Sequence, residues 1–181
     1  MPKRAVTTNL LTGFPPIATV DARVLVLGSM PSVASLAKRQ YYGHPQNAFW
    51  RIMDSLFDAG LDRPYAERCQ VLKRRGVAVW DVLHACRRAG SLDSSIHRDS
   101  EAANDFLRFF RRHRRIRCVF FNGTKAETAY RRHVLKEVGL LGHELQYERL
   151  PSTSPAHAGR SFAEKLRAWQ AVRVATEPVD N

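Results

Sequence analysis

Cysteine is scarce in this chain of 181 residues, and Cys69, Cys86 and Cys118 lie far apart. Three scattered thiols make neither a disulfide framework nor a closed metal site, and they fall short of the four thiolates that an iron–sulfur cluster usually takes. They read instead as small, half-buried residues. Apolar runs near the roughly 20 residues needed to cross a bilayer are also missing. The amino-terminal MPKRAVTTNLLTGFPPI lacks the apolar core and small-residue cleavage site of a secretion signal, so the chain is expected in the cytoplasm. No repeat, low-complexity linker or composition break divides it, and 44% hydrophobic residues suffice for a sizeable core. One domain over 1–181 is therefore expected, with irregular ends at about 1–20 and 176–181. Acidic residues are few as well, 17 against 29 Lys and Arg, for a formal charge of +12 and a pI near 10.4. Such an excess points to a polyanionic partner, the alternative being a solvated basic surface. Much of it is clustered at 73–75, 87–88, 111–117 and 131–133.

Cofactor signatures are absent too. No G-x-x-x-x-G-K-[ST] occurs, and GSMPS at 28–32 lacks the G-x-G-x-x-G spacing of a dinucleotide site. The seven histidines form no H-x-E with P-C-x-x-C pair, which disfavours a zinc deaminase. Lys38, the lysine nearest the candidate loops, falls in a solvated helical stretch and is a poor Schiff-base nucleophile. Neither a metal nor a cofactor is expected.

What is present alternates. The apolar run VLVLG at 24–28 predicts a strand covered on both faces. Similar runs lie at 77–80 and 118–121, and ELQYERL at 144–150 alternates as a strand nearer an edge would. Helical spacing follows Asn47 through Phe49, Ile52, Met53, Leu56 and Phe57 until Gly60, and recurs over 99–112, 125–138 and 161–174. Strands alternating with helices predict an α/β fold, a three-layer α/β/α sandwich around a parallel sheet. Ligands of such sheets bind beyond the strands' carboxyl ends. Four segments reach that edge: GSMPS with its extension YYGHPQN (41–47), Asp81, FNGTK (121–125) and LPSTSPAH (150–157).

Together these loops resemble the uracil-DNA glycosylase superfamily. Within it they are most similar to the hypoxanthine-DNA (deoxyinosine) glycosylases, through GSMPS, YYGHPQNAFW, WDVL, GSLDSSI, FFNGTKA and LPSTSPAHA in that order over nearly all of 13–170. The resemblance implies a four-stranded parallel sheet, DNA containing deaminated bases as partner, a monomer, and hydrolysis of the bond between base and deoxyribose. The alternatives are a uracil or mismatched-thymine glycosylase of the same fold, or a non-catalytic nucleic-acid binder.

A base must leave the duplex to be cut from its sugar. The resemblance implies that Tyr42 stacks on the flipped base, while packing on the following helix is the other reading. Tyr41 walls the same pocket, and main-chain N–H groups of Gly28, Ser29 and Met30 face the base or the attacking water. Met30 stands where many relatives carry an Asn or Asp that positions water, and a thioether does not do this. In the deoxyinosine branch the role is attributed to the amide of P-x-N-x-F-W, here Asn47. By spacing alone Asn47 reads first as a helix cap; the resemblance is what favours catalysis. Asp81 is placed to read the base's hydrogen-bonding edge, although a carboxylate repels a base leaving as an anion; loop capping is its structural alternative. His44 has three readings, pocket donor, phosphate contact or loop surface, and Asn122 serves the pocket or the sheet edge. The resemblance places Ser152, Thr153, Ser154 and His157 against DNA phosphates, on a segment otherwise read as an ordinary Ser/Pro surface loop. Where relatives carry a bulky wedge after these serines, the candidates here are Pro155, Ala156 and His157.

Overall fold

The structure is a computed structural model and describes residues 9–178. In chain order its strands are β1 (Leu10–Thr12), β2 (Val24–Gly28), β3 (Val77–Asp81), β4 (Leu83–Arg87), β5 (Ala102–Ala103), β6 (Cys118–Asn122) and β7 (Gln146–Leu150). Its helices are α1 (Val33–Lys38), α2 (Phe49–Phe57), α3 (Tyr65–Arg74), α4 (Phe106–Arg112), α5 (Thr124–His133), α6 (Leu135–Gly139) and α7 (Phe162–Thr176).

The main sheet has the order β3-β2-β6-β7 and is parallel throughout. Successive strand side chains point to opposite faces, so the complete burial of all five residues of β2 means that both faces are covered. On one face Trp80, Leu27 and Phe121 stand in register across three strands. Trp80 meets Phe106 of α4, and Phe121 meets Tyr130 of α5. Elsewhere α7 packs against β2, β7 and α2, with Trp169 wholly buried and set edge-on to Phe49. The chain winds from β2 to β3 on one side and then crosses to β6 on the other. The crevice at that reversal is where a ligand site forms.

The expected sandwich and its four parallel strands are thus present, and β7 is an edge strand. A second sheet, β1-β4-β5, was not foreseen; both of its pairings are antiparallel. It corrects the reading of 1–20 as irregular, since Leu10–Thr12 pairs with β4 and Ile17 bridges Val79. The parts of the expected ragged ends at 1–8 and 179–181 lie outside the described residues, and 176 closes α7. The helix expected over 99–112 begins only at Phe106, where the Asp105 side chain accepts from Arg108 N–H as cap. Ala102–Ala103 is drawn into strand pairing instead. The helix expected over 125–138 breaks at Val134, with φ −123° and ψ −43°.

Candidate active site

A cavity of about 470 Å³ opens beyond the carboxyl ends of β2, β3, β6 and β7. It is lined by Gly28, Ser29, Met30, Tyr41, Tyr42, Asn47, Asp81, Asn122, Ser152, Thr153, Ser154 and His157, which are all the expected site residues except His44. His44 sits in the loop outside this lining, where its Nδ1 accepts from Gln46 N–H at 3.2 Å.

Asn47 lines the cavity and also bonds to the first turn of α2. Helix α2 starts at Phe49 with Ala48 in the cap position, yet Asn47 Oδ1 accepts from Phe49 N–H at 2.9 Å. That bond fixes which end of the amide is oxygen. The NH2 group is left as the end available to the cavity, so Asn47 offers a donor there. A donor can hold a water by its oxygen without removing its proton.

Asp81 ends β3 and is 4% exposed, and its Oδ2 has no hydrogen-bond partner. Burial raises its pKa to about 7, the nearby Asp93 charge adds to the rise, and Arg88 opposes it. Near neutral pH a large share of Asp81 therefore carries a proton, which removes the conflict between a carboxylate and an anionic leaving base. Gly28 lies directly beneath. A methyl group there would sit far inside contact distance of Asp81 Oδ1 and 3.1 Å from the Tyr42 hydroxyl. Gly28→Ala is expected to cost about 1–3 kcal/mol through overpacking and to lower base excision, measurable by chemical denaturation and single-turnover assay.

Tyr42 stacks on Phe49 with ring centroids 3.9 Å apart, and its hydroxyl is buried without a partner. Its backbone is left-handed, φ 54°. It packs on α2, as one of its two readings expects, and also lines the cavity. Tyr41 is mainly an anchor: it is 3% exposed and donates through its hydroxyl to the carbonyls of Phe14 and Pro15.

The 150–157 loop is strapped in place. Asn122 Nδ2 donates to Thr153 Oγ1 and its Oδ1 accepts from Thr153 N–H, both at 2.9 Å. Ala48 N–H donates to Thr153 O, Trp169 Nε1 to Pro151 O and Lys165 Nζ to His157 O. Thr153 is consequently turned inward at 1% exposure. That corrects its expected contact with phosphates, for its hydroxyl is buried within the loop. Ser152 and Ser154 are only half-buried, and each hydroxyl oxygen accepts a backbone N–H two residues on. Their O–H groups stay available as donors, which suits an anion.

Sequence reasoning assigned no role within GSLDSSI, yet Ser91, Leu92, Asp93 and Ser94 form one rim of the cavity. Ser29 Oγ donates to Asp93 Oδ1 at 2.6 Å, and Val33 N–H donates to Ser91 Oγ, tying this rim to the turn after β2. Arg88 is buried and clasps the same junction by donating to Pro31 O and Gly90 O. Lys125 also lines the cavity, but it pairs with Glu101, a carboxylate with no exposed side-chain surface that also holds Arg132 and His133. Among the described residues no group of three or more His, Cys, Asp or Glu is arranged to hold a metal, and no helix is long and apolar enough to cross a membrane.

These features can be set beside known proteins. The sequence model of the Uracil DNA glycosylase superfamily matches residues 15–173. A hypoxanthine DNA glycosylase of Methanosarcina acetivorans is 36% identical over 162 residues, covering 88% of this chain and 96% of that protein. One from Methanosarcina barkeri is 38% identical over 115 residues, 63% of this chain and 72% of its own length. The solution NMR structure of a proposed uracil DNA glycosylase from Methanosarcina acetivorans superposes with a TM-score of 0.76 at 32% identity, covering 93% of this chain and all of that one. The parallel sheet, the loops gathered at its carboxyl edge and similarities that span most of the chain converge on one assignment: the chain belongs to the uracil DNA glycosylase superfamily.

Proposed function

We propose that this chain, a DNA glycosylase by its superfamily, removes hypoxanthine from deoxyinosine-containing DNA as a monomer acting in the cytoplasm and leaves an abasic site. The observation that carries this reading is the meeting of a buried, partly protonated Asp81, the Asn47 amide and the Tyr42 ring in one cavity at the sheet's switch point. Hypoxanthine presents an N–H beside a carbonyl. A protonated Asp81 complements that edge, accepting from the N–H through its carbonyl oxygen and donating to the base oxygen. The same donor stabilises the negative charge that grows on the departing base. Asn47 holds the water that attacks the sugar carbon, and the Ser152 and Ser154 hydroxyls grip the phosphates. The similarity to two proteins named hypoxanthine DNA glycosylases supports the choice of base. Single-turnover release of free base from duplexes bearing inosine, uracil or mismatched thymine tests it. Faster release of uracil than of hypoxanthine would overturn the assignment.

Leu92 supplies a wedge on this reading. It is 54% exposed on the cavity rim, and glycosylases must fill the gap that a flipped nucleotide leaves, for which DNA-bending proteins often insert a leucine. Leu92→Ala is expected to slow excision from duplex about tenfold and to leave excision from single strands within about twofold, since unstacking costs a few kcal/mol only where there is a stack. Equal slowing on both substrates would exclude the role.

A further inference from the structure

The edge of the main sheet opposite the cavity carries an unusual charge. The segments entering β2, β3 and β6 (21–23, 73–75 and 111–117) hold nine Lys and Arg against one acid, Asp21. They are neighbours in space: Arg23 N–H donates to Gly76 O at 2.8 Å and Arg117 N–H donates to Arg23 O at 2.9 Å. Three strand entries therefore lie side by side at the roughly 4.8 Å spacing of a sheet. Arg74, Arg75, Arg111, Arg112, Arg114 and Arg117 are all exposed. None has an acidic partner among the described residues, whereas Asp21 is taken by Arg115. Glu144, Glu148 and Glu177 share a groove with Arg117 toward β7, so the positive pole is strongest between β3 and β6.

Basic residues in a helix's last turn offset its dipole, which accounts for Lys73, Arg74, Arg111 and Arg112 at the ends of α3 and α4. Arg75 caps α3, and Arg114 and Arg117 reach back to the carbonyls of Arg111 and Arg114, but those bonds leave each guanidinium charge exposed and without a carboxylate among the described residues. Unpaired like charges this close repel one another and destabilise the compact state. A polyanion relieves that repulsion.

We propose that this pole binds a second segment of duplex DNA while the cavity holds the first. One short duplex does not serve both surfaces. They lie at opposite ends of β2, a strand of five residues and so about 16 Å long, and a duplex with a persistence length of about 50 nm does not fold back over that distance. The pole makes the enzyme a bridge between two DNA segments, which lets it transfer from one to the other without release into solvent. This inference does not depend on which base the cavity accepts.

The test mixes full-length protein with a 20-base-pair lesion duplex and a differently labelled lesion-free duplex, and measures complex mass together with energy transfer between the labels. The expected species at about 50 mM salt holds one protein and two duplexes, and is lost near 200 mM as counterion release predicts. In R75E/R114E/R117E, and in the milder R75Q/R114Q/R117Q, the two-duplex species should fall at least tenfold. Single-turnover base release from the lesion duplex should stay within about twofold, which also certifies the fold of the variants. Three results would overturn the proposal: a wild type that never exceeds one duplex per protein, variants that still bridge, or a pole that takes polyglutamate but not duplex. A failed hypoxanthine assignment would leave the bridging measurement untouched.

Discussion

Asn47→Ala should slow single-turnover excision by about 100- to 1000-fold, the usual effect of removing one preorganised donor from a polar transition state, while affinity for lesion duplex stays within about threefold. The variant also loses the bond to Phe49 N–H, which costs about 1 kcal/mol as a lost cap does. Asn47→Asp separates the two effects. A carboxylate retains an oxygen for Phe49 N–H and so keeps the helix start, but it turns an acceptor, not a donor, toward the cavity. A catalytic amide predicts that Asp rescues the denaturation midpoint and not the rate. If Asp restored both, Asn47 would be a cap and nothing more.

Replacing Asp81 by Asn should stabilise the protein at neutral pH by as much as about 4 kcal/mol, the free energy equivalent of a carboxyl raised from 3.8 to about 7. The sign follows from where the proton resides. Below about pH 4 Asp81 is protonated in folded and unfolded chains alike, and its titration costs nothing. As pH rises from about 4 to about 7 the unfolded chain gives up the proton and the folded one keeps it, so folded stability is progressively lost; above about 7 the loss is constant. Urea unfolding of wild type and Asp81→Asn across pH 4 to 8 should therefore show curves that diverge through this window and then run parallel. Glu101 works in the opposite sense. Burial alone would raise it, but its bonds from Lys125 and His133 hold it below the ordinary range, so the difference between the two proteins isolates Asp81 where the wild-type curve alone does not. Excision should follow the same proton: the wild-type rate falls as pH passes about 7, and the Asn variant, whose amide donates at every pH, loses that limb. A wild-type limb that persists in Asp81→Asn would assign the titration to another group.

The main sheet was legible because its signal is local. VLVLG, VAVW and CVFF are apolar throughout, as strands covered on both faces must be, and once the strands are parallel the loops that follow them share one edge. That reasoning located Gly28, Asp81, Asn122 and the 150–157 segment. The smaller sheet was not legible, because three residues at 10–12 and two at 102–103 carry no period; their pairing is set by β4, not by their own sequence. Thr153 was misjudged for a related reason. A polar loop reads as outward-facing, and only the fold brings Asn122 close enough to turn the hydroxyl in. The rim at 91–94 escaped notice because its link to the turn after β2, Ser29 to Asp93, spans 64 residues. For His44, Pro45 does signal the turn that Asn47 N–H closes onto His44 O, but not that the ring folds back to accept from Gln46 N–H.

The left-handed backbone at Tyr42 has an evolutionary corollary. A non-glycine residue held there carries on the order of 1–3 kcal/mol of conformational cost, which glycine would remove and asparagine would ease. Either replacement would also strip the ring from Phe49, and the loss of a packed aromatic, about 3–5 kcal/mol, outweighs the relief. Selection should therefore tolerate the strained backbone here for the sake of the ring, whether it acts on stability or on repair.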